Sequence, residues 1–327
     1  MVLDGNDPLV IARAAQALAD GDLVALPTET VYGLGARADD DAAVAKIFAV
    51  KGRPADHPLI VHVADIAAAQ HFAARVSPLA ARLMAGFWPG PLTVIVARAA
   101  GIAAAAAGGQ ATIALRCPAH PVALALLRAA AAHGVRGVAA PSANRFGRVS
   151  PTTAAHVSAE LGPDLLILDG AACRVGIEST IVDCSRDHPV LLRPGVLTQA
   201  QIEAVAGEPL RARDAAAPRA SGTLQAHYAP RALVRLMSWV ELNAALQTRP
   251  ADAPKLAVYS RGLLAGLGRC ALHRHMPADA AQAAQELFST LRAFDDEGAQ
   301  AIWVEAPPLA AEWDGVRDRL QRASAAV

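Results

Sequence analysis

What most narrows the folds open to this chain is a series of short apolar runs, each closed by turn or breaker residues. They do not alternate strictly with helical segments. Leu23–Leu26, Leu59–Val63, Leu92–Ala97, Thr112–Arg116, Gly137–Ala140, Leu165–Leu168, Ser179–Asp183 and Val190–Arg193 read as strands. Helices are expected over 8–20, over Ala42–Val50 after the acidic start Asp39–Asp41, over Pro78–Phe87, over His120–Ala132 and near Thr152–Leu161; Gly52 and Pro54 stop the second. Strands outnumber helices. The fold class is therefore α/β with a mixed twisted sheet and flanking helices, rather than a doubly wound parallel sheet.

Burial must come largely from small side chains, because 79 of the 327 residues are Ala and only 13 are aromatic. A chain of this length still hides roughly three quarters of its unfolded surface. The apolar runs are interrupted, for example by Arg98 and Gly101, and none reaches the roughly 18 to 20 residues a membrane span needs. The first ten residues carry two Asp and no basic stretch, so they do not read as a secretory signal, and the chain is expected in the cytoplasm. Cys117, Cys173, Cys184 and Cys270 form no CxxC pair and have no His at zinc spacing, so they read as reduced, buried thiols and no metal site is expected. Thirty Lys plus Arg against 30 Asp plus Glu leave no net charge to attract a polyanion.

Periodicity breaks down between Gly207 and Pro230, a stretch with three Pro and several Arg. This divides the chain into a catalytic domain at 1–206, a linker at 207–231 and a small α/β domain at 232–327. In the last, Val234–Met237, Lys255–Tyr259 and Ala301–Glu305 read as strands, and Asp279–Phe294 and Leu309–Ala323 as helices.

Gly33, Gly35 and Ala38 spell G-x-G-x-x-A, but PTETVY intervenes after Leu26, so the string reads as a glycine turn rather than a dinucleotide loop. No P-loop, H-E-x-x-H or G-x-S-x-G occurs. What remains is four polar clusters at strand ends: LPTETVYGLG with Thr28, Glu29 and Thr30; KGRPADHPLIVHV with Lys51, Arg53 and His62; APSANRFGRVSPT with Ser142, Asn144 and Ser150; and GIESTIVD with LLRPG, which offers Glu178, Ser179, Thr180, Asp183 and Arg193. Each has an ordinary reading, as helix-end cations, a core histidine or turn residues. Together they supply cations for phosphate oxygens, hydroxyls and amides for orientation, and no obvious nucleophile. That set suits nucleotidyl transfer driven by positioning and charge neutralisation.

At these residues the chain resembles the YrdC-like family, in its two-domain threonylcarbamoyl-AMP synthase form. PTETVYGLG, KGRP with HPLIVHV, FWPGPLT, TIALRCP, PSAN, GIESTIVD and LLRPG occur in the family's order, and HYAP at 227–230 resembles its interdomain linker. The resemblance implies a YrdC-like domain with a large cavity plus a smaller Rossmann-like domain. It also implies a reaction: L-threonine, bicarbonate and ATP give threonylcarbamoyl-AMP and pyrophosphate, for threonylcarbamoyladenosine in tRNA. Carried over, the catalytic residues are Lys51, Arg53, Ser142 and Asn144. Further ATP contacts are His57, Thr112, Ser150, Arg193 and Tyr228, and L-threonine contacts are Thr30, His62, Arg116 and Ser179. Mg2+ is expected with ATP, held by the nucleotide and water. Partners are the small-molecule substrates, with tRNA or downstream threonylcarbamoyl-transfer proteins as candidates and no membrane.

The residue types fit, since a carbamate and a triphosphate are both anionic and cations must let them meet. Lys51 and Arg53 are expected to face solvent in the cavity. The chain departs from the family pattern at His57, where Asn is common, at Ala140, where some relatives have Thr, and in a linker, ASGTLQAHYAP, that is less basic than usual. Two other readings compete: a non-catalytic RNA-binding module, disfavoured by 16 basic against 18 acidic residues in 1–210, and a paralogue acting on another carbamoyl or acyl adenylate.

Overall fold

Local signals start and stop most elements. The computed structural model describes residues 1–250 and 253–326. Val2–Asp4 forms β1, and Asp7 then caps α1 (Pro8–Ala19) by accepting the Leu9 amide, with Pro8 in the first turn, where its missing N–H costs nothing. β2 (Val24–Leu26) and β3 (Gly33–Arg37) pair antiparallel. Asp40 accepts the amides of Ala42 and Ala43 to start α2 (Asp41–Lys51), and Gly52 ends it at φ 60°, a left-handed conformation that glycine adopts freely. There follow β4 (Ile60–His62), the single turn α3 (Ile66–Ala69), β5 (Ala73–Arg75), α4 (Pro78–Phe87), β6 (Leu92–Arg98), β7 (Thr112–Arg116), α5 (Pro121–Ala132), β8 (Val138–Ala139), α6 (Ala154–Leu161), β9 (Leu166–Asp169), β10 (Thr180–Asp183), β11 (Val190–Arg193) and α7 (Gln199–Ala206).

These eleven strands form one mixed sheet, ordered β1-β9-β2-β3-β8-β4-β7-β6-β10-β11, with β5 paired to β6. Side chains alternate across it with period two. Ala25, Leu34, Val61, Val94, Leu115 and Val182 enter the main core with Ile47, Phe48, Phe72 and Leu83. On the opposite face Val24, Leu26, Val138 and Leu168 pack under α1 and α5. Farther along that second face, Ile60, Ile95, Ala114 and Ile181 make a smaller cluster, and the polar residues described below surround it.

The chain divides into two compact units, Met1–Phe146 with Ser150–Thr223, and Gly147–Val149 with Leu224–Val327. The second unit carries β12 (Leu233–Met237), α8 (Trp239–Thr248), β13 (Leu256–Ser260), β14 (Leu272–His275), α9 (Ala280–Asp296), β15 (Ala301–Glu305) and α10 (Asp314–Ser324). Its sheet is parallel throughout, in the order β12-β15-β13-β14. Residues 207–223 cluster with the first unit and 224–231 with the second.

Several expectations need correction. The glycine string at 33–35 is the strand β3, not a turn. A Cβ on Gly35 would lie 2.8 Å from Val138 Cγ1 and 3.1 Å from the Val24 carbonyl oxygen, so glycine here serves close packing between strands. β1, β5, β14, α3, α7 and α8 were not foreseen. The four cysteines are free thiols, but Cys270 is only partly buried.

Candidate functional site

The sheet's second face positions the site. Because residues two apart share a face, β4 presents Ile60 and His62, β7 presents Thr112, Ala114 and Arg116, and the pairing sets His62 opposite Arg116. β6 runs antiparallel to β7 and brings Thr93 to the Arg116 end. β10 runs parallel to β6, so Ser179, just before it, reaches Thr93; their hydroxyls are 2.7 Å apart. Between Ile181 and Val182 the β10–β11 register slips by one residue, a bulge in β11 that keeps Arg193 opposite Ile181 and therefore on this face. Regular pairing would have turned its guanidinium to the other side.

At the His62 end, Arg116 is buried. Its Nε donates to the Gly90 carbonyl at 3.3 Å, Nη1 to Thr30 Oγ1 at 2.8 Å, and Nη2 stands 2.7 Å from Glu29 Oε1. The other Glu29 oxygen accepts the Ala119 amide at 3.1 Å. Thr28 organises this loop: its hydroxyl donates to the Val31 carbonyl and lies 2.9 Å from that of Thr30. Three buried atoms here, Glu29 Oε1, Arg116 Nη2 and His62 Nδ1, make no hydrogen bond, the close Glu29–Arg116 approach being unaligned with an N–H. The Glu29 and Arg116 atoms still neutralise each other's charge, whereas the His62 nitrogen costs about 1–3 kcal/mol unless something else bonds it. Burial, reinforced by Arg116, drives the His62 pKa down to about 3, so the ring is neutral.

The other end holds the cations. Lys51, the last residue of α2, donates to the Ser142 carbonyl at 2.6 Å and to the Asn144 carbonyl. Ser142 lies beyond the start of β4, since the Ala140 amide bonds the Ile60 carbonyl. Arg53 donates to the Pro58 carbonyl at 2.8 Å and to Ser221 Oγ at 3.2 Å, and stacks its guanidinium 5.9 Å from the Phe146 ring centroid. Lys51 and Arg53 are 3% and 9% exposed, so they do not face solvent as expected. Burial first, then repulsion from Arg53, holds the Lys51 ammonium well below the usual lysine range.

Arg193 ties the two ends together. It grips Ser179 through the carbonyl at 2.8 and 3.1 Å and the hydroxyl at 3.2 Å, and donates to the Ser221 carbonyl at 2.9 Å. Ser221 thus joins Arg53 and Arg193, which lie far apart in the chain. Gly195 makes this possible: a Cβ there would sit 2.5 Å from the Thr180 amide nitrogen.

The remaining expected residues fall around this frame. Ser150 donates to Glu178 Oε1 at 2.5 Å, and Asn144 is buried with its amide on the Arg145 carbonyl at 2.7 Å. His57 packs its ring 5.4 Å from Phe146, and burial and Arg53 lower its pKa. Thr112 lies at the far end of β7 from Arg116, roughly 13 Å along the strand. Tyr228 belongs to the second unit, where its ring stacks on Phe288 and Arg319 lies over it. Glu29 and Glu178 were visible in the sequence strings without a role. Thr93, Phe146 and Ser221 were missed, although Thr93 lies within FWPGPLT.

Residues 16–195 match the family model described as "Telomere recombination", and residues 197–325 the model for the threonylcarbamoyl-AMP synthase C-terminal domain. The threonylcarbamoyl-AMP synthase of Bacillus subtilis is 37% identical, over 98% of this chain and 94% of that protein. That of Pyrococcus abyssi is 44% identical over 68% of this chain and 66% of the other. The crystal structure of P. abyssi Sua5 complexed with L-threonine superposes with a TM-score of 0.89 at 35% identity, covering 98% of this chain and 95% of that one. With both family models matched in order and this identity sustained along nearly its whole length, the chain belongs to the threonylcarbamoyl-AMP synthase family, in its two-domain form.

Proposed function

We propose that the protein makes threonylcarbamoyl-AMP and pyrophosphate from L-threonine, bicarbonate and ATP. The observation that carries this reading is one sheet face with Arg116, His62, Thr93 and Ser179 at one end and buried cations at the other. Arg116, Thr30, His62 and Ser179 offer a guanidinium for a carboxylate and hydroxyl and imidazole partners for a side-chain hydroxyl. Lys51, Arg53 and Arg193 offer positive charge where a triphosphate would lie, with Ser142, Asn144, Ser150, His57 and Thr112 around it. As a nucleotide contact, Tyr228 rests on the family motif.

The face works by charge and position. Threonine forms a carbamate with bicarbonate, and the carbamate oxygen displaces pyrophosphate from the α-phosphorus. Both reactants are negative, and cations already desolvated by the fold lower their repulsion without rearranging. Arg53 disfavours the charged form of Lys51, and phosphate binding beside both would offset that repulsion. Among the described residues no three His, Cys, Asp or Glu converge to hold a metal, so Mg2+ is proposed to enter on the ATP phosphates with water completing its shell.

No helix among the described residues is long and apolar enough to cross a membrane. The reading puts the enzyme in the cytoplasm, upstream of tRNA and of proteins that transfer the threonylcarbamoyl group. Mixing the protein with ATP, labelled bicarbonate and L-threonine, then seeking the adenylate by mass spectrometry, tests it. Label in a threonine-dependent adenylate is expected, and loss of that product in Lys51→Met and Arg53→Met proteins that melt as folded. ATP turnover indifferent to threonine and bicarbonate would refute the reading.

A further inference from the structure

Glu29 is a buried carboxylate that the proposed chemistry has not yet used. It sits between Thr28 and Thr30 in the loop that supplies the Arg116 partner, and Oε1 lies 2.7 Å from Arg116 Nη2 without a hydrogen bond. The pair lies beside His62, whose strand neighbour is Arg116 and whose Nδ1 is buried without a hydrogen bond. An amino acid carries its ammonium and carboxylate next to one another. A guanidinium and a carboxylate side by side offer the complementary pair of charges.

We infer that Glu29 is a catalytic residue that binds the α-ammonium of L-threonine while Arg116 binds its carboxylate, and that Glu29 takes the proton that frees the amine. This rests on the proposed synthase reading and adds to it the handling of the nitrogen. The step balances. The ammonium gives one proton to the Glu29 carboxylate, leaving a neutral amine and a carboxylic acid. The amine nitrogen then bonds the carbon of bicarbonate, and the elements of water leave, one hydrogen coming from nitrogen and the hydroxyl from bicarbonate. The carbamate carries the negative charge onward, and Glu29 returns its proton to water.

The charged and titratable groups around Glu29 are Arg116 and Cys117 at the end of β7, His120 before α5, Cys173 after β9, and His62 beyond Arg116 on β4. Burial pushes Cys117 and Cys173 up to about 11 and about 12, and His62 down to about 3, so these three keep one charge state from pH 6.5 to 9. His120 is lowered from 6.5 and is neutral across the upper part of that range.

The test compares the full-length wild type with Glu29→Gln. Threonine-dependent pyrophosphate release is measured from pH 6.5 to 9, with calorimetric binding of L-threonine and of 2,3-dihydroxybutyrate, which has a hydroxyl in place of the ammonium. Losing a hydrogen bond to a charged group should raise the threonine KM of Glu29→Gln about ten- to hundredfold, with the ATP KM within about twofold. Its kcat/KM for threonine should climb toward wild type as pH rises and free amine becomes abundant. A merely structural carboxylate would not produce that climb. Wild type should bind the hydroxy analogue at least about tenfold more weakly than threonine, and the gap should close in the variant. Equal binding of the two ligands by the wild type overturns the inference even if Glu29→Gln fails to fold. So does an unchanged threonine KM and pH profile in a folded variant. Wild type that binds no threonine and releases no threonine-dependent pyrophosphate defeats the synthase reading itself, a separate outcome.

Discussion

Replacing Arg116 by Ala should damage the fold as well as threonine use, and the structure sets the scale. The guanidinium is 3% exposed, donates to Gly90 and Thr30, and is the ion-pair partner of Glu29, itself 8% exposed. Without it the Glu29 carboxylate keeps the Ala119 amide but has lost its counter-charge while buried. Breaking a buried pair from one side costs about 3–5 kcal/mol. In a domain of this size each kcal/mol moves the melting midpoint by about 2–4 °C, so the variant should melt roughly 6–20 °C lower. Combining Arg116→Met with Glu29→Gln removes both charges at similar volume and should recover most of that loss, while threonine-dependent activity stays absent. Melting curves by circular dichroism, with pyrophosphate release on the same preparations, decide the matter. An Arg116→Ala protein that melts within about 2 °C of wild type would refute the buried-pair argument. A double variant as unstable as the single one would also refute it.

Other consequences are open to direct measurement. His62 has its pKa lowered from 6.5 to about 3, so between those values the unfolded chain binds a proton the folded one refuses, and stability falls as pH drops through that window. Going from pH 6.5 to 4.5 should cost roughly 2 kcal/mol through this residue, and the pH dependence of stability in His62→Gln should be shallower by about one proton. Gly195→Ala puts a methyl 2.5 Å from the Thr180 amide nitrogen; it should destabilise by about 1–3 kcal/mol and raise the ATP KM by shifting Arg193, and a variant matching wild type in both would show that the strand ends yield easily. Burial raises the pKa of all four thiols, but Cys117, Cys173 and Cys184 are buried and Cys270 only partly so, so mass-resolved iodoacetamide labelling of the native protein should modify Cys270 first. Faster labelling of any of the other three would contradict the packing.

Much of the fold was legible because its signals are local. Asp40 and Gly52 bracket α2 through a side-chain cap and a left-handed stop, and Thr112–Arg116 and Pro78–Phe87 lie where the apolar pattern put them. Two missed helices carried readable signals too: Thr198 with Gln201 and Ser238 with Glu241 are capping boxes at the starts of α7 and α8. β3 failed for a different reason. Glycine reads locally as a turn, and only the approach of Val138 and Val24 explains why side chains are excluded from that strand.

The site divides along the same line. Ordered strings in the chain were enough to point to the family and to the residue types that meet two anionic reactants, because motif order and chemical type are properties of the sequence itself. Burial is collective, so nothing near Lys51 in the chain announces that neighbours 91 and 93 residues away supply the carbonyls on its ammonium. Strand register placed His62 beside Arg116, a one-residue bulge turned Arg193 onto the same face, and loop closure set Glu29 against Arg116. Those contacts depend on pairing and desolvation between distant segments, and only the assembled tertiary structure could decide them.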